Sequence, residues 1–347
     1  MAYTNIDDPS AYFHTQLYAG NGGTQSITNN GNSDLQPDWI WIKSRSDSSF
    51  NALTDSTRGT SKRLYSNSTS AEETHSDRVT AFNSDGFSLG ASSLVNTNTY
   101  NYAAWQWKAN GGTTASNSDG STASTVQVNQ DAGFSIITYT GTGSETTFGH
   151  GLGVAPEVII AKKRGGAASW VVWFKAFNNS DGYLVLNATD KMEEATTIFT
   201  NTDPTSSVIT LGSSSTVNQN TVTHLMYAFS PKQGYSKFGK YVGTGSADGP
   251  FVYTGFKPAF IIFKKSSDSG DNWMMYDNKR PGFNVTDQAL HPNSSAAEYD
   301  NANANLDMLS NGFKLRSSFG WVNQNTHTYI YMAFAENPFV TSTGIPT

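Results

Sequence analysis

Cysteine is absent from this chain of 347 residues, which excludes disulfide bonds, thiolate metal sites and cysteine nucleophiles. Charged residues are scarce, at 14% of the chain, and no basic run occurs, which argues against a nucleic acid or an anionic membrane as partner. No apolar stretch approaches the roughly 18 residues of a membrane helix, and the N-terminus lacks the basic and apolar regions of a secretory signal. We therefore expect the protein to be synthesised in the cytoplasm and not to insert into a membrane.

Ser, Thr, Asn and Gly take the place of the missing charges, while aromatic residues make up 13% of the chain. The aromatic side chains supply enough core volume to exclude a disordered protein. The net charge of −6 is mild for a chain of this length. This profile is typical of an all-β protein with a surface rich in hydroxyl and amide groups.

Three groups of landmarks recur in the same order, at intervals of about 120 and then about 100 residues. The first is an aromatic-x-Gly-x-Gly turn, at Tyr18–Gly22, Tyr139–Gly143 and Tyr241–Gly245. The second is a proline before an apolar run that ends in lysine, at Pro37–Lys43, Pro156–Lys162 and Pro258–Lys264. The third is a Val-Asn-x-Asn segment before a short apolar strand, at Val95–Asn98, Val217–Asn220 and Val322–Asn325. The chain is therefore an internal triplication.

The landmarks predict three tandem antiparallel β-sandwich modules of the jelly-roll or concanavalin-like kind, because short strands rich in β-branched and aromatic residues alternate with turn signals. The predicted order along the chain is an N-terminal lead (1–11), module 1 (12–109), a flexible Gly/Ser/Thr linker (110–131), module 2 (132–230), a short linker (231–237), module 3 (238–337) and a tail (338–347).

Two motifs that resemble catalytic signatures fit structural roles better. Gly86–Gly90 matches the G-x-S-x-G pattern of a hydrolase, but Ser88 falls in the middle of a predicted strand and the third copy has Lys314 in its place. The Gly141–Gly143 turn lacks the third glycine of a dinucleotide fingerprint, since Thr146 stands there. We interpret these glycines as turn residues.

No pair of histidines has the spacing of a metal site, so a metal would require a convergence in space. The six are His14, His75, His150, His224, His291 and His327. We expect His150 to hydrogen-bond across a turn, and His224 and His327 to share one structural position in two copies. Asp-rich loops such as Ser44–Ser49 give no more than a hint of bound calcium.

An Asp-x-x-Arg element occurs in copy one, at Asp55–Arg58, and in copy three, at Asp277–Arg280. It could grip a sugar hydroxyl or a carboxylate, but an ion pair that pins a loop is the favoured interpretation. The only acids that the copies share are Glu72 or Glu73 and Glu298, one for each of two modules, which gives poor support for a glycosidase.

Four tryptophans of module 1 alternate along two strands, at Trp39, Trp41, Trp105 and Trp107. We expect them to pack between modules or between subunits; a stacking platform for sugar rings is the alternative. We assign no catalytic, cofactor-binding or metal residue, expect no cofactor, and leave the ligand-binding residues open.

Several segments together resemble the repeated domain of structural proteins from tailed phages of marine bacteria, including cyanophages. They are Asn5–Phe13, Leu35–Lys43, Asp55–Gly59, Ala81–Phe87 and Tyr102–Lys108. The resemblance covers essentially the whole chain and implies a virion or tail-fibre-like protein with sandwich domains and no catalytic residues. Module 2 departs from it, because it lacks the Asp-x-x-Arg-Gly loop.

We therefore expect a non-enzymatic protein of the virion surface, a tail-fibre or adhesin component that binds the host cell multivalently. Its expected partners are other virion proteins and a host surface glycan or protein, with no nucleic acid. We expect a homo-oligomer, with a trimer favoured, to cover exposed aromatic residues and strand edges. A capsid or tail decoration protein is the first alternative, and a carbohydrate-binding module or polysaccharide depolymerase is the second.

Overall fold

The computed structural model describes residues 3–347. Antiparallel strands account for nearly all of its regular structure, and they form several sheets that pack face to face, which confirms the all-β sandwich class. We group the strands by repeat copy and call the three groups modules 1, 2 and 3. No helix among the described residues has the length and apolar character needed to span a bilayer.

The elements of module 1 are β1 (Phe13–Ala19), β2 (Gln25–Ile27), β3 (Trp39–Ser44), β4 (Ala52–Asp55), β5 (Lys62–Tyr65), β6 (Glu73–Thr74), β7 (Val79–Asn83), β8 (Gly86–Leu89), α1 (Ser93–Asn96) and β9 (Asn101–Trp107). A 3₁₀ turn at Pro9–Ala11 precedes them. They form a six-stranded sheet in the order β1-β9-β3-β4-β5-β6 and a three-stranded sheet in the order β2-β8-β7.

The elements of module 2 are β10 (Ala115–Asn117), β11 (Ser124–Asn129), β12 (Phe134–Thr140), β13 (Thr146–Gly149), β14 (Val158–Lys163), β15 (Val171–Phe174), β16 (Gly182–Val185), β17 (Glu193–Glu194), β18 (Val208–Leu211), α2 (Ser215–Asn218) and β19 (Thr223–Phe229). A 3₁₀ turn, Lys175–Phe177, follows β15. The sheets run β10-β11-β12-β19-β14-β15-β16-β17 and β13-β18.

The elements of module 3 are β20 (Ser236–Val242), β21 (Phe251–Tyr253), β22 (Phe256–Lys265), β23 (Met274–Asp277), β24 (Gln288–Ala289), β25 (Tyr299–Asp300), β26 (Leu306–Leu309), β27 (Gly312–Leu315), α3 (Gly320–Asn323) and β28 (Thr328–Pro338). The sheets run β20-β28-β22-β23, β21-β27-β26 and β24-β25. The central order of the large sheet is the same in every module, because β1-β9-β3-β4 corresponds to β12-β19-β14-β15 and to β20-β28-β22-β23.

Each large sheet is buried on both of its faces. One face packs on the small sheet of its own module; in module 1 that core contains Ile40 and Ile42. The opposite face, which carries Trp39 and Trp41, joins a central core with residues of all three modules. Burial on both faces explains why β3 and β14 have no exposed residue, although antiparallel sheets often leave one face to water.

Aromatic contacts cross all three boundaries in the central core. Trp39 of module 1 stacks on Tyr227 of module 2, with ring centroids 4.2 Å apart. Phe334 of module 3 lies 5.6 Å from Trp107 and 5.8 Å from Phe229. The tryptophans of module 1 are therefore packed between modules, as expected, and they form no sugar platform because each is at most 2% exposed. They give no support to a homotrimer, since one chain already covers them.

Two boundaries differ from those predicted. The segment 110–131 is not a simple flexible linker, because it contains β10 and β11, which belong to the large sheet of module 2. Low hydrophobicity in this segment concealed strands that pair with their neighbours through the backbone. The N-terminal lead is also more than a polar extension, since Ile6 is buried in the central core. Residues 1 and 2 of that lead lie outside the described chain.

Candidate functional site

The repeated turn and the repeated Val-Asn segment of each copy bind each other. In module 1 the buried Asn96 side chain accepts a hydrogen bond from Asn21 N (2.9 Å) and donates one to Gly90 O (2.9 Å). The Tyr18 hydroxyl donates to Val95 O at 2.8 Å. The two landmarks thus form one hydrogen-bonded unit, which we call the turn clamp.

The turn clamp recurs in modules 2 and 3. Its equivalent bonds are Tyr139 OH to Val217 O (2.7 Å), Tyr241 OH to Val322 O (2.8 Å), Thr142 N to Asn218 Oδ1 (2.8 Å) and Thr244 N to Asn323 Oδ1 (2.7 Å). In module 1 a Cβ atom on Gly20 would lie 2.2 Å from the carbonyl oxygen of Thr97. Glycine is needed there for a close approach of two backbone segments, which confirms the interpretation of these residues as turn residues.

Ser88 lies within β8, and its hydroxyl hydrogen-bonds with the side chains of Asn83 and Ser26, each at 3.0 Å. A nucleophile elbow instead places serine on a sharp turn between a strand and a helix. The structure therefore confirms Ser88 as a strand residue.

His150 makes the predicted hydrogen bond within its turn, because its ring accepts from Leu152 N (3.2 Å). The ring also approaches Thr205 O (3.2 Å), which lies 55 residues away along the chain. At the proposed calcium loop, the Asp47 carboxylate accepts a hydrogen bond from Ser49 Oγ at 2.9 Å. Among residues 3–347 no group of three His, Asp or Glu side chains is placed to hold a metal ion.

His224 does not share a position with His327, contrary to the prediction. Strand register makes His224 equivalent to Tyr102 and Tyr329, whereas His327 precedes β28. The Nε2 atom of His224 accepts a hydrogen bond from Gln219 N (3.3 Å), as the two tyrosine hydroxyls accept from the backbone of their own copies. Burial lowers the pKa of His224 to about 4, so a neutral ring replaces a tyrosine in the core.

Asp55 and Arg58 form a fully buried ion pair, with 2.6 Å between Oδ2 and Nε. Arg58 also binds Glu72 at 2.9 Å, and Tyr227 of module 2 donates its hydroxyl proton to Asp55 at 2.7 Å. Burial opposes the charged form of Arg58, but Asp55, Tyr227 and Glu72 outweigh burial and raise its pKa. The pair thus fixes module 2 on module 1 in addition to pinning its own loop.

The same arrangement joins module 1 to module 3. Asp277 and Arg280 are fully buried and 2.6 Å apart, and Trp105 Nε1 of module 1 donates to Asp277 Oδ2 at 3.1 Å. At the third boundary, strand register places Phe174 and Met332 at the positions of the aspartate and the donor. Module 2 lacks the Asp-x-x-Arg element because this boundary is apolar at that point.

The acids considered for a glycosidase are held by these networks. Glu72 bridges Arg58 and Arg164, and Glu298 bridges Arg280 and Arg45. Burial raises the pKa of Glu72, but hydrogen bonds and charge from Arg164 and then Arg58 outweigh burial and lower it. A general acid needs a raised pKa, so Glu72 does not fit that role. Glu73 instead binds Arg63 at 2.8 Å.

One hydrogen bond is repeated at all three module boundaries. Each donor is the residue directly before β4, β15 or β23, and these three residues are equivalent in the three copies. Each acceptor is a backbone carbonyl of the neighbouring module, again at equivalent positions. The bonds are Trp170 Nε1 to Tyr65 O (2.7 Å), Trp273 Nε1 to Val185 O (3.1 Å) and Asn51 Nδ2 to His291 O (3.2 Å). Since module 2 donates to 1, module 3 to 2 and module 1 to 3, the modules close into a ring with pseudo-threefold symmetry.

The lysine that ends each apolar run is completely buried. Its ammonium group donates to backbone carbonyls, with the shortest bonds at Lys43 to Ser44 O (2.7 Å), Lys162 to Ala168 O (2.9 Å) and Lys264 to Lys265 O (2.8 Å). Burial lowers the pKa of each of these lysines to about 8.

The exposed surface does not follow the pseudo-threefold symmetry. Most of the large hydrophobic side chains that are exposed within residues 3–347 belong to module 3, namely Val242, Phe251, Tyr253, Phe283, Val285, Tyr299 and Phe319. Phe50, Val154 and Ile345 are the others. Module 3 therefore exposes more large apolar side chains than module 1 or module 2 does.

Three aromatic side chains of module 3 form a cluster that we call the aromatic patch: the exposed Tyr299 and Phe319, and the partly exposed Trp321. Phe319 and Trp321 have ring centroids 5.2 Å apart, and His291 lies beneath them, 5.8 Å from Trp321 and 5.7 Å from Tyr299. Burial lowers the pKa of His291, so its ring is neutral at pH 7. Among the tryptophans of the described residues, Trp321 alone is not buried, and Leu94 occupies its position in module 1. Alignment of the copies could have identified it.

A protein-family model described as a domain of unknown function, DUF7483, matches residues 8–338. Neither the curated proteins nor the solved structures that were searched contain a significant match.

Proposed function

The chain belongs to the DUF7483 family, and since its description as a domain of unknown function names no activity, we propose the function from the structure. We propose that the protein is a surface component of a tailed-phage virion that binds the host cell through the aromatic patch. The virion assignment is supported by the resemblance of the repeated segments to marine phage structural proteins. The role in binding is supported by the surface of module 3.

The single observation that carries the binding role is the asymmetry of the exposed apolar residues. Tyr299 and Phe319 are each 37% exposed, and they flank the partly exposed Trp321. Modules 1 and 2 fill the position of Trp321 with Leu94 and Thr216, so the fold itself does not require an aromatic residue there. Exposed aromatic clusters on an otherwise polar surface are typical of binding sites.

The contacts between the modules make the protein a rigid support for this patch. The ion pairs Arg164–Glu72 and Arg45–Glu298, aromatic stacking and one repeated hydrogen bond join the modules, so the patch has a fixed position on the body. A single patch of this size binds weakly, and many copies on one particle would raise the avidity by about 10²–10⁴. A reversible, multivalent attachment to the host is the mechanism that we propose.

The test is the binding of labelled purified protein to marine bacterial strains, together with competition against phage adsorption. We expect saturable binding that blocks adsorption, and we expect Trp321→Ala and Phe319→Ala to abolish both effects. Phe50→Ala is the matched control, because Phe50 is 47% exposed but lies in module 1 against Tyr65. Equal loss in the control, or no loss in the patch variants, would contradict the proposed contact surface.

A decoration protein that stabilises the particle is the second candidate, and the closed ring of modules favours it. If the folded protein binds no cell but adds to particles that lack it and raises their thermal stability, the decoration role replaces the adhesin role. A depolymerase has no support from the ion-paired Glu72 and Glu298.

A further inference from the structure

A polar groove lies where module 1 meets module 3. One cavity of about 270 Å³ is bordered by β1 of module 1 and by residues at one edge of module 3, including Thr15 and Ala259. An adjoining cavity of about 310 Å³ contains Phe283 in its wall, and the two cavities share Asn278 and Glu336. Each is near the lower limit of about 300 Å³ for small-molecule sites.

Three polar atoms of the residues that line this groove are buried without a hydrogen-bond partner among the described residues: Thr15 Oγ1, Asn278 Oδ1 and Glu336 Oε2. Glu336 Oε2 is ion-paired with Lys257, which leaves the two neutral oxygens, and Thr15 is only 2% exposed. A buried hydroxyl or amide oxygen without a partner costs about 1–3 kcal/mol, and a bound ligand that donates hydrogen bonds would remove this penalty.

The repeats indicate that the fold does not need a polar residue at position 15. Strand register makes Thr15 equivalent to Ile136 and Phe238, which are both buried and apolar. A threonine hydroxyl at this core position is therefore peculiar to module 1, where Thr15 borders the cavity at the boundary with module 3.

The equivalent place at the boundary between modules 1 and 2 is closed. There Asp38 accepts a hydrogen bond from Ser56 Oγ (2.6 Å), and Gln127 Nε2 of module 2 donates to Ser56 Oγ (2.8 Å). Module 3 has Ala259 and Asn278 at the positions of Asp38 and Ser56. The aspartate that helps to close the first boundary is thus absent where the groove lies.

The groove carries little net charge, because Glu336 is paired with Lys257 at 2.6 Å and Lys279 is the one remaining charged side chain in its lining. His14 also borders the cavity, and burial followed by the charge of Lys279 lowers its pKa, so its ring is neutral at pH 7. The other polar side chains of this wall are mostly neutral amides, which can both donate hydrogen bonds to hydroxyl groups and accept them.

Phe283 adds an apolar surface at the far end of the groove. It is 81% exposed, the largest value among the exposed hydrophobic residues of the described chain. A flat ring beside a polar cavity can cover the C–H face of a sugar while the cavity binds its hydroxyl groups.

We propose that the groove between modules 1 and 3 is a binding site for a neutral saccharide, whose hydroxyl groups donate to Thr15 Oγ1 and Asn278 Oδ1. The site is separate from the aromatic patch, and it does not depend on the virion assignment or on the attachment role.

The test uses the purified full-length protein and ligand-observed NMR with neutral oligosaccharides of glucose, galactose, mannose and N-acetylglucosamine. Uronate and sulfated oligosaccharides form the second arm of the panel. We expect a saturable interaction with a neutral member, and we expect Thr15→Ile to weaken it at least about tenfold because one ligand hydroxyl loses its acceptor. Thr24→Ile is the control, since it makes the same change on an exposed loop of module 1.

Asn278→Leu and Phe283→Ala provide independent variants if Thr15→Ile unfolds the protein, which a thermal melt would show. Absence of binding to every neutral member, binding only of the anionic arm, or binding that all three groove variants leave unchanged would each overturn the proposal. Because none of these measurements uses cells or phage, a failure of host attachment leaves the result of this test unaffected.

Discussion

The hydroxyl of Tyr227 in module 2 donates a 2.7 Å hydrogen bond to the buried carboxylate of Asp55 in module 1. Tyr227 also stacks on Trp39 of module 1, so one side chain contributes polar and apolar contacts to the same boundary. The Asp-x-x-Arg element therefore has two roles. It pins its own loop through the ion pair, and its aspartate accepts a hydrogen bond from the neighbouring module.

Tyr227→Phe should lower the free energy of unfolding by about 1–3 kcal/mol, because it keeps the ring but leaves the buried Asp55 with one donor fewer. Urea denaturation followed by tryptophan fluorescence measures the change. Tyr183→Phe is the control: it also removes a hydroxyl that binds a carboxylate, Glu193, but at an exposed site, and its effect should stay below about 0.5 kcal/mol. Equal effects of the two variants would show that the contact between modules adds nothing.

Gly20→Ala should destabilise the protein by about 1–3 kcal/mol, because the new methyl group would overlap the carbonyl oxygen of Thr97 in the turn clamp. Gly23→Ala belongs to the same turn but meets only Asn21 Oδ1, at 3.8 Å, and should cost much less. Thermal melts of both variants test this difference. A Gly20→Ala variant as stable as the wild type would refute the explanation that the repeated glycine is needed for a close approach of the backbone.

The three buried lysines should make stability increase with pH in the alkaline range. Burial lowers the pKa of Lys43, Lys162 and Lys264 from 10.5 to about 8 in the folded protein. Between these values the unfolded chain binds more protons than the folded chain, so the free energy of unfolding rises as pH rises from about 8. Above pH 10 the buried tyrosines oppose this trend, because burial raises the pKa of residues such as Tyr18 and Tyr139.

We therefore expect the melting temperature to rise from pH 7.5 to about pH 9.5 and to fall above about pH 10. Lys264→Met should reduce the slope of the rising limb, whereas Lys240→Met, at an exposed position, should leave it unchanged. A melting temperature that falls steadily from pH 7.5 would contradict the prediction.

His224→Tyr should be tolerated and should reduce the sensitivity of the protein to acid. The equivalent residues are Tyr102 and Tyr329, so the pocket suits a tyrosine. The pKa of His224 is about 4 in the folded state against 6.5 when unfolded, so its contribution is fully present above pH 6.5 and is lost as pH falls toward 4. Comparison of urea midpoints at pH 7 and pH 5 measures the gain, with His327→Tyr as the control. The idea fails if His224→Tyr loses as much stability at pH 5 as the wild type.

Local sequence patterns predicted the strands and the repeat, because alternation and turn residues act over short distances. The short apolar strand predicted after each Val-Asn-x-Asn segment is present in every copy, as β9, β19 and β28. The ring of modules was not predictable in this way, since the partners of Asp55 and Asn51 lie 172 and 240 residues away. Of the surface sites, Trp321 stands out when the copies are aligned, whereas the groove around Thr15 depends on the placement of two modules.

Unfolding of the whole chain should occur in one cooperative transition, even though its repeats are 100–120 residues long and resemble independent domains. The central core draws on all three modules, so the loss of one module would expose the large-sheet faces of the other two. The ion pairs Arg164–Glu72 and Arg45–Glu298, which cross two boundaries, and the repeated hydrogen bond at all three reinforce this dependence. Calorimetry should therefore give one peak whose van 't Hoff enthalpy equals the calorimetric enthalpy. Two or three separate peaks would mean that the modules are stabilised by their own inner cores and that the central core contributes little.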